Sequence, residues 1–262
     1  MNKRMKIVIG VIIFVILFVL FSKMISKSDK TVCQDFRIEI LNVTEETYIT
    51  SEELMSKVIS EYHELKGVPM SEISLDKVKE IISSSPFVKR VKVYKSLDAS
   101  IIAEVEQRDP LVRVFNKVGK AFVIDENGDI MPVPVGKSSH IICASGNINT
   151  EPDSLWGRNV QTLMPSENGL TMMLNSIFII ARALQSDVHF SALISQIYLN
   201  EMFELELIPA IGDFSILFGQ AVEITEKLEK LYILYTKMLP YMDMSAYKEV
   251  DLTLKNQIVL KK

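Results

Sequence analysis

The sequence predicts an α+β protein, in which an N-terminal transmembrane helix precedes a small β-α-α-β-β domain and a mainly antiparallel β domain with helices on one face. Three observations lead to this fold class. An apolar run fills residues 7–21, two capped helical segments follow an alternating strand, and several short strand patterns follow residue 109. The 262 residues, 48% of them hydrophobic, are enough for about two domains with cores of their own.

The apolar run near the N-terminus predicts a single membrane anchor, which covers residues 7–27 with its juxtamembrane part. The run is short for a spanning helix, but basic side chains on both flanks can place their charges at the interfaces and extend it. A cleavable signal peptide is the alternative; residues 22–27 offer no small-residue cleavage pattern, so an uncleaved anchor is favoured. The basic tail, residues 1–6, predicts a cytoplasmic N-terminus and a single-pass protein of the inner (cytoplasmic) membrane, with its domains on the periplasmic, extracytoplasmic side.

Residues 33–108 predict the small domain. Alternation of apolar and polar residues marks its strands, and polar capping residues mark the start of each helix. The elements are a strand over 36–40, a helix from a capping box at Thr50 and Glu53 to about Lys66, a helix over 75–84 that Ser74 caps, and strands over 91–94 and 99–106. Antiparallel strands with two helices on one face form a compact unit.

Residues 109–262 predict the β domain. Asn127-Gly128 between two apolar runs is a strong hairpin signal, and the apolar spacing over Leu170–Leu184 indicates a buried core helix. Residues 146–169 are interpreted as a surface loop held by Trp156. The remaining predicted elements are short strands over 140–144, 194–199, 203–208 and 214–218, an amphipathic helix over 225–239, and terminal strands over 250–254 and 258–260.

Composition and motifs argue against enzymatic chemistry, a cofactor, a metal, a small-molecule substrate and nucleic acid. The net charge of −4 provides no basic field for nucleic acid. Two cysteines, Cys33 and Cys143, are interpreted as ordinary thiols, with a single bridge in an oxidising compartment left open. Three patterns resemble sites but have simpler structural explanations: the S-x-x-K of Ser74–Lys77, the calcium-like run Asp125–Asp129, and the isolated histidines His63, His140 and His189.

The terminal strand over residues 250–254 alternates perfectly between apolar and polar residues. At the edge of a sheet, such a strand would be a template for a strand of another chain. The alternative is that the strand is internal, or that the charges of Lys255, Lys261 and Lys262 prevent it from pairing with another chain. Pattern alone does not decide between the two.

Taken in order, several segments resemble those of one protein family. They are Phe36-Arg37-Ile38-Glu39-Ile40, Tyr48-Ile49-Thr50-Ser51-Glu52-Glu53-Leu54, Pro86-Phe87-Val88-Lys89-Arg90-Val91-Lys92-Val93, Val105-Glu106-Gln107-Arg108-Asp109-Pro110, Phe122-Val123-Ile124-Asp125-Glu126-Asn127-Gly128, Ile216-Leu217-Phe218-Gly219, Lys227-Leu228 and Val250-Asp251-Leu252. Their order and spacing are similar to the FtsQ/DivIB bacterial cell-division proteins, which have a cytoplasmic tail, one membrane span, a POTRA domain and a C-terminal β domain. The similarity covers nearly the whole chain.

This resemblance implies a non-enzymatic divisome scaffold that binds the division proteins FtsB and FtsL through its β domain and helps to recruit and regulate septal peptidoglycan synthesis. In the family, FtsB adds a strand near the terminal strand. That region corresponds here to Val250, Asp251, Leu252, Thr253, Leu254 and Lys255. The aromatic residue that follows the Val-Asp-Leu motif in the family is matched here only by Leu254.

Two other functions compete with this interpretation. A POTRA-bearing export or assembly factor would receive exported polypeptide, but such proteins usually carry a membrane barrel, and the segments after Arg108 do not have its pattern. An anchored cell-wall enzyme with a dispersed site is disfavoured by the missing motifs.

Overall fold

The computed structural model describes residues 13–16, 31–42, 48–134, 141–163, 169–242 and 246–262. The chain forms two compact units that divide between Gln107 and Arg108. Each unit has its own hydrophobic core. The structure is therefore described below one unit at a time.

The first unit is a three-stranded sheet with two helices. Its elements are β1 (Asp35–Ile40), α1 (Ser51–Glu61), α2 (Leu75–Ser83), β2 (Val88–Lys95) and β3 (Ser100–Gln107). The strand order is β1-β3-β2, with β3 parallel to β1 and antiparallel to β2. The sheet is mixed because β3, the second strand of the β2–β3 hairpin, pairs with β1 in the parallel direction. The alternation pattern of the sequence does not reveal this arrangement.

Both helices of this unit begin at the residues that their sequence indicates. The Thr50 hydroxyl accepts a hydrogen bond from Glu53 N at 3.2 Å, and the Glu53 carboxylate accepts one from Thr50 N at 2.9 Å, which completes the capping box. Ser74 accepts from Lys77 N and caps α2. The S-x-x-K pattern is therefore a helix start. The first helix ends at Glu61, one turn before the predicted end.

The second unit is a nine-stranded sheet. Its elements are β4 (Pro110–Phe115), β5 (Ala121–Asp125), β6 (Ile130–Pro132), β7 (Ile142–Gly146), α3 (Leu170–Gln185), α4 (Val188–Leu193), β8 (Ile194–Leu199), β9 (Leu205–Pro209), β10 (Ser215–Gly219), α5 (Ile224–Ile233), β11 (Glu249–Asp251) and β12 (Val259–Lys261). The strand order is β12-β11-β10-β9-β8-β7-β4-β5-β6. Three neighbouring pairs are parallel, β4 with β7, β7 with β8, and β10 with β11; the others are antiparallel.

The core of the second unit lies between this sheet and the apolar sides of α3 and α5. Helix α3 buries a stripe at helical spacing, and Leu231 of α5 is fully buried. The stripe consists of Leu174, Ile177, Phe178, Ala181 and Leu184. The sequence therefore located the core helix correctly.

One glycine at the end of β7 is required by the packing of the sheet. Gly146 has a φ of +107°, and a Cβ at this position would lie 2.2 Å from the carbonyl oxygen of Leu199 in β8. Only glycine combines this backbone conformation with such a close approach. The amide of Asn147 donates to the same carbonyl oxygen at 2.7 Å.

The fold class predicted from the sequence included a transmembrane helix, and that part of the prediction is wrong. Among the residues that the structure describes, no helix has both the length and the apolar character needed to cross a membrane. Helix α3 is apolar, but its 16 residues fall short of the roughly 17–25 that a span needs, and one of its faces is part of the core. Of the predicted 7–27 segment, only the helical turn at residues 13–16 is described; residues 1–12 and 17–30, which include the predicted 1–6 tail, lie outside the described residues.

One further detail differs from expectation, and the interpretation of the cysteines as ordinary thiols agrees with the structure. The loop after β7 is held by Leu155, which is 7% exposed, whereas Trp156 is 36% exposed. Both cysteines are free: Cys33 is buried in the first unit, and Cys143 is half-buried in the second.

Candidate functional site

The candidate site is the C-terminal edge of the nine-stranded sheet. Strand β11 runs parallel to β10, and β12 runs antiparallel to β11 with Glu249 opposite Lys261 and Asp251 opposite Val259. Within the described part of the chain, β12 is the last strand on this side of the sheet. Its outer side is therefore the edge at which a further strand could pair.

The six predicted partner-binding residues lie in the strand next to this edge and in the segment that leaves it. Val250 and Asp251 belong to the internal strand β11, and Val250 and Leu252 are fully buried. Thr253 is half-buried, whereas Leu254 is 47% exposed and Lys255 is exposed. Of the six, Leu254 and Lys255 are the ones whose side chains are open to a partner.

Asp251 organises the end of β11. One of its carboxylate oxygens accepts from Thr253 N at 2.9 Å and from the Thr253 hydroxyl at 2.6 Å, and the other lies 3.1 Å from Lys261 Nζ. Lys261 also contacts Glu249 at 2.6 Å. Burial raises the pKa of Asp251, but the hydrogen bonds from Thr253 and Lys261 outweigh it, so the pKa is lowered overall. This carboxylate therefore ties the two terminal strands together.

A buried lysine of α5 supports the segment after β11. Lys230, 7% exposed, donates to the carbonyl oxygens of Leu254 at 2.6 Å and Leu252 at 3.2 Å, and lies 3.0 Å from Glu226. Asn256 N donates to the same Glu226 carboxylate at 3.0 Å. This hydrogen bond and the ammonium of Lys230 lower the pKa of Glu226. Residues 252–256 are thus fixed to the helix by backbone contacts, which leaves the Leu254 side chain facing outward.

The end of β10 also packs closely against the segment that follows β11. Gly219, at the end of β10, has a φ of +73°, and a Cβ there would lie 2.8 Å from the Thr253 methyl group. Lys227, one helical turn before Lys230, donates to the Gln220 carbonyl oxygen at 2.9 Å and lies 5.0 Å from the centre of the Phe218 ring. Burial lowers the pKa of Lys227. The motif residues Phe218-Gly219 and Lys227 therefore meet at this edge.

The sequence did not reveal which strand is outermost, nor that Lys230 is buried. Val259 and Leu260 form too short a run to be recognised as an edge strand, although their apolar pattern marks a strand. Lys230 has the sequence environment of an exposed helical lysine, and only the crossing of α5 over the ends of β10 and β11 encloses it.

The calcium-like run Asp125–Asp129 is a hairpin turn with an ion pair. The buried Asp125 carboxylate accepts from Asn127 N and Asp129 N and contacts Arg108 Nη1 at 2.8 Å. Arg108 also contacts Asp129. The carboxylates are therefore directed at the arginine and the backbone. In the described residues, no group of three or more His, Cys, Asp or Glu side chains is arranged to hold a metal ion.

The fold and this edge define a class of two-domain α+β proteins, with a small mixed-sheet domain followed by a β domain whose last strand lies at the edge of its sheet. Comparison with family models gives the same division. Residues 31–106 match a POTRA-like domain, and residues 109–260 match the model described as FtsQ/DivIB, C-terminal related. A search of curated proteins finds no match.

The matched C-terminal region covers more than half of the chain, so the chain belongs to the FtsQ/DivIB family. The resemblance inferred from the sequence is thereby confirmed. Membership implies a role in cell division, at a membrane-associated division site, through protein–protein interactions, and the family is of the non-enzymatic scaffold type.

Proposed function

We propose that the chain is a non-catalytic scaffold of the divisome. Its β domain binds FtsB- and FtsL-type proteins at the edge formed by β11 and β12, and the complex helps to recruit and regulate septal peptidoglycan synthesis. Both domains act on the extracytoplasmic side of the division site. The single observation that supports this most is the fixed segment 252–256 beside the terminal strand.

The edge offers the two components that strand addition needs. Main-chain groups on the outer side of β12 can supply hydrogen bonds to an added strand, and those bonds are largely independent of side-chain identity. Leu254, exposed next to this edge, can supply an apolar anchor. An exposed leucine is unremarkable alone, but here its backbone is held by a buried ammonium group.

Fixing the segment in advance favours binding. A loop whose backbone is already ordered avoids an entropic cost of about 1–2 kcal/mol for each residue that the partner would otherwise have to order. The two carbonyl bonds of Lys230 and the Asn256 bond to Glu226 supply that order. The partner therefore meets a preformed surface.

The test is binding of the full chain to a purified FtsB–FtsL pair from the same organism, measured by biolayer interferometry. Leu254→Asp places a charge on the exposed anchor and is expected to weaken binding by about tenfold or more, the usual effect of disrupting an apolar contact in the centre of an interface. Leu97→Asp is the matched control, because Leu97 is fully exposed in the first unit.

Leu97→Asp should bind like wild type, and both variants should unfold at the wild-type temperature. Equal binding by the wild type and Leu254→Asp would remove residues 250–255 from the interface. A well-folded wild-type chain that does not bind the pair would reject the proposed function.

A further inference from the structure

A second surface of the β domain lies between two helices, apart from the terminal strands. A groove of about 480 Å³ separates α4 from α5. Its floor includes Phe190, which is 6% exposed. The groove is lined by Asp187, Phe190, Thr225, Leu228, Glu229, Tyr232 and Ile233. None of these residues belongs to the terminal strands or to segment 252–256.

One wall of the groove is a helix face with uncovered apolar side chains. Tyr232 follows Leu228 by four residues and Glu229 by three, and both spacings place side chains next to each other on a helix surface. Tyr232 is 52% exposed and Ile233 is 39% exposed, although both lie beside the half-buried Leu228. On the α4 side, the groove is lined by Asp187, the N-cap residue of this helix, and by Phe190.

The charges of the groove all have one sign in the described part of the chain. Asp187 and Glu229 line it, and no lysine or arginine does. The two lysines of α5 nearest in sequence to Glu229, Lys227 and Lys230, are buried toward the ends of β10 and β11. His189 lies 3.0 Å from Asp187 through Nδ1 and is largely exposed. Hydrogen bonds from the backbone and ring of His189 lower the pKa of Asp187, so this carboxyl is ionised at neutral pH.

We propose that the groove between α4 and α5 is a docking site for an amphipathic helix of another protein, which places apolar side chains against Tyr232 and Ile233 and a lysine or arginine against Asp187 and Glu229. A groove between two helices accepts a third helix through i, i+3, i+4 and i+7 anchors. The surface is separate from the edge at β12.

Charge complementarity selects this occupant over the others. Two copies of the chain that met through this same groove would bring four carboxylates together, and like charges across an interface cost several kcal/mol. Nucleic acid is repelled for the same reason. A cationic amphipathic helix instead satisfies both features, because Asp187 and Glu229 each retain oxygen lone pairs that can accept from lysine or arginine.

The experiment is site-specific photocrosslinking of the full chain in growing cells. p-Benzoylphenylalanine replaces Tyr232 or Ile233, and mass spectrometry identifies the crosslinked peptide in the partner. A matched probe at Tyr198, which is 37% exposed in strand β8, measures background. We expect both groove probes to capture one segment with apolar residues at helical spacing and at least one lysine or arginine.

The charge of the groove is tested by reversal. Glu229→Lys is expected to reduce the yield of the adduct at least about fivefold. The attraction between Glu229 and a basic residue of the partner becomes a repulsion in this variant. Glu201→Lys makes the same change at an exposed turn elsewhere and should leave the adduct intact. Exchanging the captured basic residue for glutamate should restore the adduct with Glu229→Lys.

Several results would overturn the proposal. They are the absence of an adduct above the Tyr198 background, capture of an acidic or strand-forming segment or of a second copy of the chain, and an adduct indifferent to Glu229→Lys. Leu254→Asp distinguishes this proposal from the proposed function. The groove adduct should persist in that variant, and its loss would assign the groove to the edge partner and reject a separate surface.

Discussion

Replacement of Lys230 by methionine tests the support of the terminal edge. Methionine keeps most of the side-chain volume but removes the ammonium group that contacts Leu252, Leu254 and Glu226. Two carbonyl oxygens then lose a charged donor, and the Glu226 carboxylate loses its counter-charge. The segment 252–256 should become less stable than the rest of the β domain.

The magnitude follows from the contacts. A hydrogen bond to a charged group contributes about 1.5–3 kcal/mol, and a buried carbonyl left without a donor costs about 1–3 kcal/mol. The cost of burying the ammonium is recovered in the variant and offsets part of this loss. We therefore expect Lys230→Met to lower the free energy of unfolding by about 2–4 kcal/mol.

The matched control is Lys227→Met on the preceding turn of α5. Lys227 is as buried as Lys230, but it donates to one carbonyl oxygen, and burial lowers its pKa, which means that its charge is disfavoured there. Its replacement should therefore cost less, about 0–1.5 kcal/mol. The difference between the two variants isolates the support of segment 252–256.

The assay is urea unfolding of the full chain followed by tryptophan fluorescence. The chain has one tryptophan, Trp156, and it lies in the second unit, so the signal reports the β domain. Hydrogen exchange at the amides of Thr253 and Asn256 should also accelerate. If Lys230→Met costs no more than Lys227→Met and leaves this exchange unchanged, the lysine does not support the edge and the reasoning fails.

Three further predictions concern the same domain. Gly146→Ala should lower the free energy of unfolding by about 3 kcal/mol or more, since both the backbone strain and the clash with the Leu199 carbonyl oxygen must be relieved. Gly119→Ala, at a similar positive φ in open space, should cost about 1 kcal/mol. Equal costs of the two variants in urea unfolding would show that the clash does not contribute. Asp251→Asn should lower the free energy of unfolding above about pH 4. The wild type loses the same stability as the pH falls through the lowered pKa of this carboxyl, so the unfolding free energies of the two proteins should converge in acid. Gly219→Ala should be destabilising and partly rescued by Thr253→Ser, which removes the methyl group 2.8 Å away, and an unrescued double variant would show that backbone strain alone is responsible.

Local signals in the sequence predicted the elements whose stability is local. The capping box at Thr50, the Asn127-Gly128 hairpin and the core helix at Leu170–Leu184 depend on residues within a few positions of each other. Their recognition needs only the periodicity and hydrogen-bonding capacity of neighbouring residues. The family resemblance added their order along the chain.

The order of strands could not be predicted in the same way. The parallel pairs β4–β7 and β10–β11 join segments separated by long connections, and no local pattern encodes which strands become neighbours. For this reason the sequence alone does not identify β12 as the outermost strand. The partner-binding role of residues 250–255 stays a prediction. The transmembrane assignment rests on an apolar run, its basic flanks and the lack of a cleavage pattern, and the described residues do not contain such a helix.

Because Lys230 is buried, the rate at which its amine is chemically labelled can report the opening of the edge. Amine-reactive reagents modify exposed lysines directly, but this amine can react only when segment 252–256 lifts from α5. If the segment closes faster than the reagent reacts, the labelling rate is proportional to the population of the open form. A ligand that binds only the closed edge must then slow the labelling of this single amine by the same factor that it stabilises the segment. The labelling rate of Lys230 therefore reports how often the edge opens, and mass spectrometry can measure this rate without any other probe in the protein.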